Sequence, residues 1–308
     1  MNLKHYLIAI TLCAPYLSSL LGCKNHQDAN ERDLLTIHIK DYEDKTIPRP
    51  AVISSVDTIE LDTHGYFMSD IKTVCFSDTM AYVADRANTV WAFKYPSGDF
   101  VRRIRNVGHG NGEYASAWTL ALGDSLLYVM DFESRSILSY DATLNYKTSF
   151  LYGFPALDFI KVKDGFLFLN LLATDNLHRV VHTNDRGEVQ QSYLPSEMSL
   201  DMIYNETSFV RDKNGEAYIF PPFSNAIYRW TSEGPKPVFR TDFGKNAAGE
   251  DVKSSYDITE SGKAFNTGFF IVDNHLVNRF FHAGKNYYSL YDMEKGTQHI
   301  NPPDTTEV

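Results

Sequence analysis

The amino-acid sequence predicts an all-β protein built from repeated four-stranded antiparallel units, and three observations lead to this prediction. The 308-residue chain contains 19 Tyr, 20 Phe and 3 Trp, and aromatic side chains favour strands over helices. Short runs of strand-forming residues alternate with turns that contain Gly, Asn or Asp. Two neighbouring segments also resemble one another strand by strand, which indicates an internal repeat.

The repeat is clearest on either side of a glycine-rich loop at residues 108–114. The second strand of each copy ends in an aspartate, Asp85 in the first and Asp131 in the second. Their spacing of 46 residues is close to the blade length of about 40 to 50 residues in propeller repeats. Three weaker copies follow, so the sequence predicts a β-propeller with five recognisable blades of four antiparallel strands. The predicted strands are 71–76, 81–85, 90–95 and 100–107; 117–122, 126–131, 137–140 and 146–151; 156–162, 166–171, 179–182 and 189–194; 207–210, 216–220, 226–230 and 237–240; and 267–272, 276–282, 286–291 and 298–300.

One further strand, predicted at residues 52–61, has no hairpin partner of its own. The chain ends soon after the fifth copy, in Asn301-Pro302-Pro303-Asp304. Because a propeller ring must close to protect its strand edges, two interpretations are open. Either five blades close with the N-terminal strand, or the protein is of the six-bladed type and its last blade is incomplete.

The first residues predict an export signal. Lys4 and His5 precede an apolar run that ends in Leu20-Leu21-Gly22-Cys23, and this ending resembles the bacterial lipobox. We therefore expect a lipoprotein signal peptide at residues 1–22, a lipidated Cys23 followed by a flexible tether through residue 50, and the propeller domain at residues 51–308. A transmembrane anchor is the alternative, but the run is short and contains Pro15.

The cysteine count argues against a disulfide-stabilised domain, and the net charge argues against a nucleic-acid-binding protein. Once Cys23 carries lipid, Cys75 is the one cysteine of the folded domain, so we predict no intramolecular disulfide. Cys75 lies in an apolar strand, where a buried and inert thiol is expected. The formal net charge of -10 and the absence of a Lys/Arg cluster argue against nucleic acid as a partner.

The strand Phe100-Val101-Arg102-Arg103-Ile104 and the loop Gly108-His109-Gly110-Asn111-Gly112-Glu113-Tyr114 together resemble the NHL-type propeller signature. With the lipobox, the chain resembles the six-bladed TolB-like β-propeller lipoproteins of bacteria. The resemblance covers the chain from Ile47 onward and is specific in the first two blades. Asn111 departs from the family's usual Gly or Pro. The resemblance implies a scaffold and a cell-envelope location, facing the periplasm or the outer membrane, and implies no particular reaction.

Antiparallel blades predict where a binding site would lie. The loops between the second and third strands and the loops between blades must emerge at the same end of the propeller, and in this sequence that end is richer in aromatic and charged residues. Loops on a rigid scaffold often carry function. The alternative is that these residues pack the blades or lie in ordinary exposed loops. The candidate binding face consists of Arg86, His109, Tyr114, Trp118, Phe132, Glu133, Arg135, Phe223 and His282.

No catalytic motif is present, since the sequence has no Gly-x-Ser-x-Gly, His-Glu-x-x-His or Cys-x-x-Cys element. Asp85 and Asp131 are expected to accept backbone N–H groups of the following turn. Four scattered residues, Asp158, Asn205, Glu206 and Asp273, show no sign of converging, so we predict no metal and no cofactor.

The sequence thus predicts an exported, lipid-anchored propeller that acts as a binding or protein-interaction module. Its partner would be a protein, peptide or glycan at the loop-rich end, and it would contact the membrane through the N-terminal lipid. The alternative is a metal-dependent propeller hydrolase or lactonase with its site at the channel mouth.

Overall fold

The computed structural model describes residues 34–40, 42, 58–171, 177–196, 208–248 and 261–301. Within these ranges the chain forms five blades, each with four antiparallel strands, and residues 35–308 group into one compact unit. The predicted all-β propeller of four-stranded antiparallel blades is therefore confirmed. The blade count is five, and the six-bladed interpretation is wrong. The helical structure of the described ranges is a single 3-10 turn at Gly244–Asn246, and no helix there has the length and apolarity that a membrane crossing requires.

Each blade is a meander whose strands follow chain order from the centre outward. Blade 1 contains β2 (Ile71–Phe76), β3 (Met80–Asp85), β4 (Val90–Lys94) and β5 (Phe100–Ile104). Blade 2 contains β6 (Ala117–Gly123), β7 (Leu126–Asp131), β8 (Ser136–Tyr140) and β9 (Tyr146–Leu151). Blade 3 contains β10 (Ala156–Val162), β11 (Gly165–Asn170), β12 (His178–Thr183) and β13 (Val189–Pro195). Blade 4 contains β14 (Phe209–Arg211), β15 (Ala217–Ile219), β16 (Ala226–Thr231) and β17 (Gly234–Asp242). Blade 5 contains β18 (Phe265–Val272), β19 (His275–His282), β20 (Lys285–Asp292) and β21 (Thr297–Asn301).

The core lies between the blades, because each sheet presents alternate side chains to its two neighbours. In β3, Tyr82 and Ala84 face the core shared with blade 2, where they pack with residues such as Leu127 and Val129. Similar apolar clusters lie between blades 2 and 3, blades 3 and 4, and blades 4 and 5. Two-faced burial of this kind explains why the middle strands are almost continuous apolar runs.

The face of blade 1 that points away from blade 2 is covered by the chain segment that precedes β2. Its buried side chains, among them Val83 and Trp91, are packed by Leu61 and Met68, which come from the segment that precedes β2. Residues 58–61 are the described part of the strand predicted at 52–61, and they join no sheet. For these residues the predicted closing strand is wrong, because their side chains cover a blade face instead of extending a ladder. Residues 52–57 lie outside the described ranges.

An N-terminal strand does join a blade, but it comes from an earlier part of the chain. β1 (Leu35–His38) pairs in parallel with β17 on the outer edge of blade 4, from Leu35 opposite Phe239 to His38 opposite Asp242. Its side chain Ile37 is buried in the core between blades 4 and 5. These four residues fall within the predicted tether, and there the chain is a strand. The predicted signal peptide and the lipidation residue Cys23 lie outside the described ranges.

Candidate functional site

The inner strands β2, β6, β10, β14 and β18 all contribute to the wall of a central channel with a volume of about 940 Å³. A cavity of this size lies within the range of about 300 to 1,000 Å³ that is usual for small-molecule sites. The first residues of the inner strands lie at the predicted loop-rich end, since the strands β2 to β5 and their counterparts are antiparallel. The cavity wall therefore includes residues at the predicted loop-rich end, such as Lys72, Arg86 and Trp118.

A repeated β-bulge shapes the loop-rich mouth of this channel. In blades 1, 2 and 3 the ladder between the first two strands skips one residue near the start of the inner strand. The skipped residues are Lys72, Trp118 and Leu157, and each of them lines the channel. A bulge redirects the side chain of its extra residue, so the same backbone irregularity brings these three side chains to one rim.

Two of these side chains are held in place by the next blade. The Lys72 ammonium group donates to the Ala117 carbonyl oxygen at 2.8 Å and lies 5.6 Å from the centre of the Trp118 ring. The indole Nε1 of Trp118 donates to the Leu157 carbonyl oxygen at 2.8 Å, and its ring packs on Phe132 with centroids 5.0 Å apart. The rim is thus preorganised before any ligand arrives.

The channel wall carries more positive than negative charge. Burial lowers the pKa of Lys72, and the nearby Arg86 guanidinium lowers it further against the opposing effect of Asp85. Arg86 is exposed, and its side chain forms no hydrogen bond or ion pair with any residue in the described ranges. Arg211, farther along the channel, donates to the backbone oxygens of Lys161 and Gly215. The cationic groups of Lys72 and Arg86 thus lie near each other at the rim. Of the two, Arg86 has no side-chain partner in the described ranges.

The channel's single described carboxylate is that of Asp158. It accepts backbone N–H groups from Phe159 at 2.9 Å and from Ser208 at 3.2 Å. Burial raises its pKa to about 6, although these hydrogen bonds act in the opposite direction. The described lining residues thus include three cationic side chains and one carboxylate, in a chain whose formal charge is -10.

Large apolar side chains line the rest of the channel without being buried. Val74, Phe76 and Phe270 are 43%, 54% and 39% exposed, and all three belong to the channel wall. Cys75 lies among them, and burial raises the pKa of its thiol to about 12. The thiol is therefore protonated at neutral pH, in agreement with the inert role predicted for it.

The predicted binding face is divided by the structure. Arg86 and Trp118 line the channel, and Phe132 supports Trp118. Phe223 and His282 are buried. His109, Glu133 and Arg135 are exposed and do not line the channel, and Tyr114 is fully buried.

Tyr114 is buried because the glycine-rich loop folds back on blade 1. Its hydroxyl oxygen lies 3.0 Å from the Asn88 carbonyl oxygen and 3.2 Å from that of Ile104. Within the loop, the Glu113 carboxylate accepts the Gly110 N–H at 2.8 Å, and a Cβ on Gly108 would lie 2.1 Å from the same carboxylate. The loop is therefore an inter-blade connector whose glycines leave room for a structural hydrogen bond.

The two repeated aspartates have the predicted structural role. Asp85 is fully buried and accepts the N–H groups of Ala87 and Thr89, each at 2.9 Å, and the indole N–H of Trp91 at 3.0 Å. Asp131 accepts the N–H of Ala115 at 2.7 Å and three further backbone N–H groups. These carboxylates satisfy turn donors at the blade ends, so neither is free to act on a ligand.

The other predicted acidic residues do not converge where the structure describes them. Asp273 is outside the channel wall and pairs with Lys213 at 3.5 Å, whereas Asp158 lines the channel. Asn205 and Glu206 lie outside the described ranges. Among the described residues, no group of three His, Cys, Asp or Glu side chains is arranged to hold a metal ion.

Comparison with known families gives one match. A profile described as a domain of unknown function, DUF4934, matches residues 34–306. The chain belongs to the DUF4934 family. This DUF4934 chain matches no curated protein sequence. The family assignment is compatible with a propeller, and the more specific resemblance to NHL-type or TolB-like lipoproteins stays a prediction.

One solved structure shows that the DUF4934 chain shares its fold with another protein, and two others are more distantly similar. A protein of Bacteroides fragilis NCTC 9343 described as a candidate exported protein matches with a TM-score of 0.69 and 16% identity, over 88% of this chain and 80% of that chain. BamB from Moraxella catarrhalis matches with a TM-score of 0.48 and 13% identity, over 76% and 65% of the two chains. Virginiamycin B lyase from Staphylococcus aureus matches with a TM-score of 0.47 and 12% identity, over 77% and 71%. At 16% identity the likeness to the Bacteroides fragilis protein is one of fold.

Proposed function

We propose that this DUF4934 chain is an exported binding module, anchored by lipid at Cys23, whose ligand occupies the central channel. The ligand enters from the end that carries Lys72, Arg86 and Trp118. The observation that supports this proposal is the open channel of about 940 Å³ with solvent-accessible apolar walls. The binding face suggested by the sequence is thereby narrowed to the channel rim.

The free energy lost by exposing apolar side chains to water favours a ligand in the channel. Leaving Val74, Phe76 and Phe270 in contact with water forgoes the stabilisation that their burial would provide, about 25 cal/mol for each Å² of apolar surface. Small barrels usually fill such interior positions with side chains. An apolar surface kept accessible between the inner strands, next to a few ordered polar groups, is the usual composition of a ligand site.

The channel wall favours binding over the metal-dependent hydrolase or lactonase that the sequence also allows. A catalytic metal requires several carboxylate, imidazole or thiolate ligands around one point. The acidic side chain that the described channel wall offers is that of Asp158, and its carboxylate already accepts two backbone N–H groups.

Filling the channel tests the proposal. Val74→Trp adds bulk inside the channel at a position that is 43% exposed, so the fold should tolerate it. We expect native mass spectrometry of protein purified from its producing cells to show a small-molecule adduct that this variant loses. Val189→Trp is the matched control, because Val189 is 54% exposed on the outer strand β13 and should keep the adduct. An adduct of equal occupancy in both variants would show that the channel is not the site.

The lipid anchor is tested separately at Cys23. Because the lipobox cysteine is the acylated residue, Cys23→Ser should leave the precursor unprocessed or released from the membrane. Membrane fractionation with metabolic labelling by a radioactive fatty acid measures both effects. Cys75→Ser, which changes a thiol inside the propeller, should leave labelling and fractionation as they are. Continued acylation of the Cys23→Ser protein would contradict the anchor.

A further inference from the structure

We propose that the ligand of the channel is an anionic amphiphile, with its acidic group at Lys72 and Arg86 and its aliphatic body along Val74, Phe76 and Phe270. This inference rests on the proposed function and adds the chemical class of the ligand to it. Charge at the rim, the order of side chains along β2 and the contrast between the two arginines of the channel carry it.

The charge of the rim is the first step. Arg86 has no side-chain partner in the described ranges, and a Lys ammonium group has three donors. Lys72 donates to the Ala117 carbonyl oxygen at 2.8 Å and to the Asn88 side-chain oxygen at 3.4 Å, which leaves one donor for a ligand. An acidic group placed there would receive charge-assisted hydrogen bonds from two cations that otherwise repel each other. A cationic ligand would add to that repulsion.

The apolar wall is the second step. Beyond the bulge, Val74 and Phe76 lie at alternate positions of β2 and so face the same side of the strand. Four residues of strand extend about 13 Å, so the apolar surface begins within reach of Lys72 and continues away from it. Phe270 adds to it from blade 5. A small polar anion would contact the rim and leave this surface in water, whereas an aliphatic chain would cover it.

The orientation follows from the two arginines of the channel. Arg211 uses its guanidinium group to bind the Lys161 and Gly215 backbone oxygens, and burial lowers its pKa. Arg86 has no such commitment among the described residues and remains exposed. The acidic end of the ligand therefore belongs at the rim with Arg86, next to the aromatic face of Trp118, and the aliphatic end points toward Phe76.

Titration calorimetry with defined probes tests this inference. The protein used is residues 24–308 without lipid, which includes the whole compact unit 35–308. A cooperative thermal transition is the control that this protein is folded. The probes, all kept below their micelle-forming concentrations, are decanoate, decyl phosphate, decanol, decyltrimethylammonium and acetate. Decanoate or decyl phosphate should bind at least about tenfold more tightly than the last three, and the stronger of the two identifies the acidic group.

Two variants and one control locate the binding. Arg86→Gln and Phe76→Ser should each weaken binding of the anionic probe about tenfold, because they remove a cation of the rim and an apolar side chain of the wall. Arg186→Gln should bind normally, since Arg186 is exposed in the turn between β12 and β13 and does not line the channel. Equal affinity for decanol, or full affinity in Arg86→Gln, would overturn the anionic class.

The two proposals fail in different ways. Should no decyl probe bind while Val74→Trp still loses its native adduct, the ligand class is wrong and the channel is still the site. Should Val74→Trp keep the adduct, the channel itself is wrong. Normal binding of the anionic probe by both Phe76→Ser and Val74→Trp would place the probe outside the channel and overturn the ligand class, while the native adduct of Val74→Trp decides the channel.

Discussion

Replacing Asp85 with alanine is expected to lower the free energy of unfolding by about 3 to 4 kcal/mol. The Asp85 carboxylate is fully buried and accepts the N–H groups of Ala87, Thr89 and the Trp91 indole at 2.9 to 3.0 Å. Alanine leaves these donors buried without an acceptor, and each such group costs about 1 to 3 kcal/mol before the structure relaxes. Urea unfolding followed by tryptophan fluorescence measures the loss.

Two further variants distinguish the loss of the hydrogen-bond acceptor from the mere loss of a carboxylate in blade 1. Asp85→Asn keeps one side-chain oxygen for two of the donors, so it should lose about half as much free energy as the alanine variant. Asp78→Ala removes an exposed carboxylate of the same blade and should change stability by less than about 0.5 kcal/mol. A loss below about 1 kcal/mol for Asp85→Ala would mean that the turn reorganises and that the repeated aspartate does not hold the blade end.

Replacing Lys161 with methionine should lower stability by about 2 kcal/mol at low salt. The Lys161 side chain is 4% exposed, and its ammonium group contacts Asp124 at 2.8 Å, Asp185 at 3.2 Å and the Val162 carbonyl oxygen at 2.7 Å. It thus joins a turn of blade 2 to a turn of blade 3. Methionine keeps the packing of the stem and removes the charge, so the loss reports the electrostatic contact.

The salt dependence of stability tests whether the free energy lost in Lys161→Met comes from the ionic contacts. Asp124 and Asp185 are 65% and 67% exposed, so salt screens their attraction to Lys161. The stability difference between wild type and Lys161→Met should therefore shrink between 0.05 and about 1 M salt in urea unfolding experiments. Lys163→Met is the control, because Lys163 is exposed two residues away and should change stability little. A difference that salt leaves unchanged would contradict an ionic contact.

The blade architecture could be predicted from the sequence because it is encoded locally. Asp85 and Asp131 mark the same strand end in successive blades, and strand alternation between turns gives the ladder order. Both signals survive in a single sequence. The aspartates could also be assigned their turn role, since a short acidic side chain after a strand commonly accepts the following N–H groups.

The pairing of the N-terminal strand and the direction of individual side chains could not be predicted in the same way. β1 is a four-residue strand in a polar neighbourhood, and its register depends on the distant strand β17. The predicted strand at 52–61 has the right composition, but Leu61 covers a blade face through tertiary packing. The sequence places Tyr114 on the binding face because it ends an exposed loop, whereas its burial depends on carbonyl groups of blade 1 that only the folded structure brings near.

The sequence also predicts only some of the residues that line the channel. The sequence predicts Arg86 and Trp118 as binding residues because Arg86 follows a strand end and Trp118 follows an exposed loop. Lys72, Val74, Phe76 and Phe270 were missed, because a residue on an inner strand has the same sequence pattern whether it faces a neighbouring blade or the channel. The one signal for Lys72 is a charge within an otherwise strand-like run, and such a charge is equally typical of an edge strand.

The bulge at the rim has a consequence for how members of the DUF4934 family could differ. Because the ladder skips Lys72, Trp118 and Leu157, the identity of each side chain is independent of the backbone pairing around it. Blade 5 also skips a residue, Thr267, but that side chain is buried and does not line the channel. Under the proposed function, a single nucleotide change in the codon of Lys72, Trp118 or Leu157 could therefore exchange one side chain of the channel wall while the scaffold stays the same. Natural variation in ligand preference should concentrate at these positions, and engineers could vary them together as a small combinatorial library.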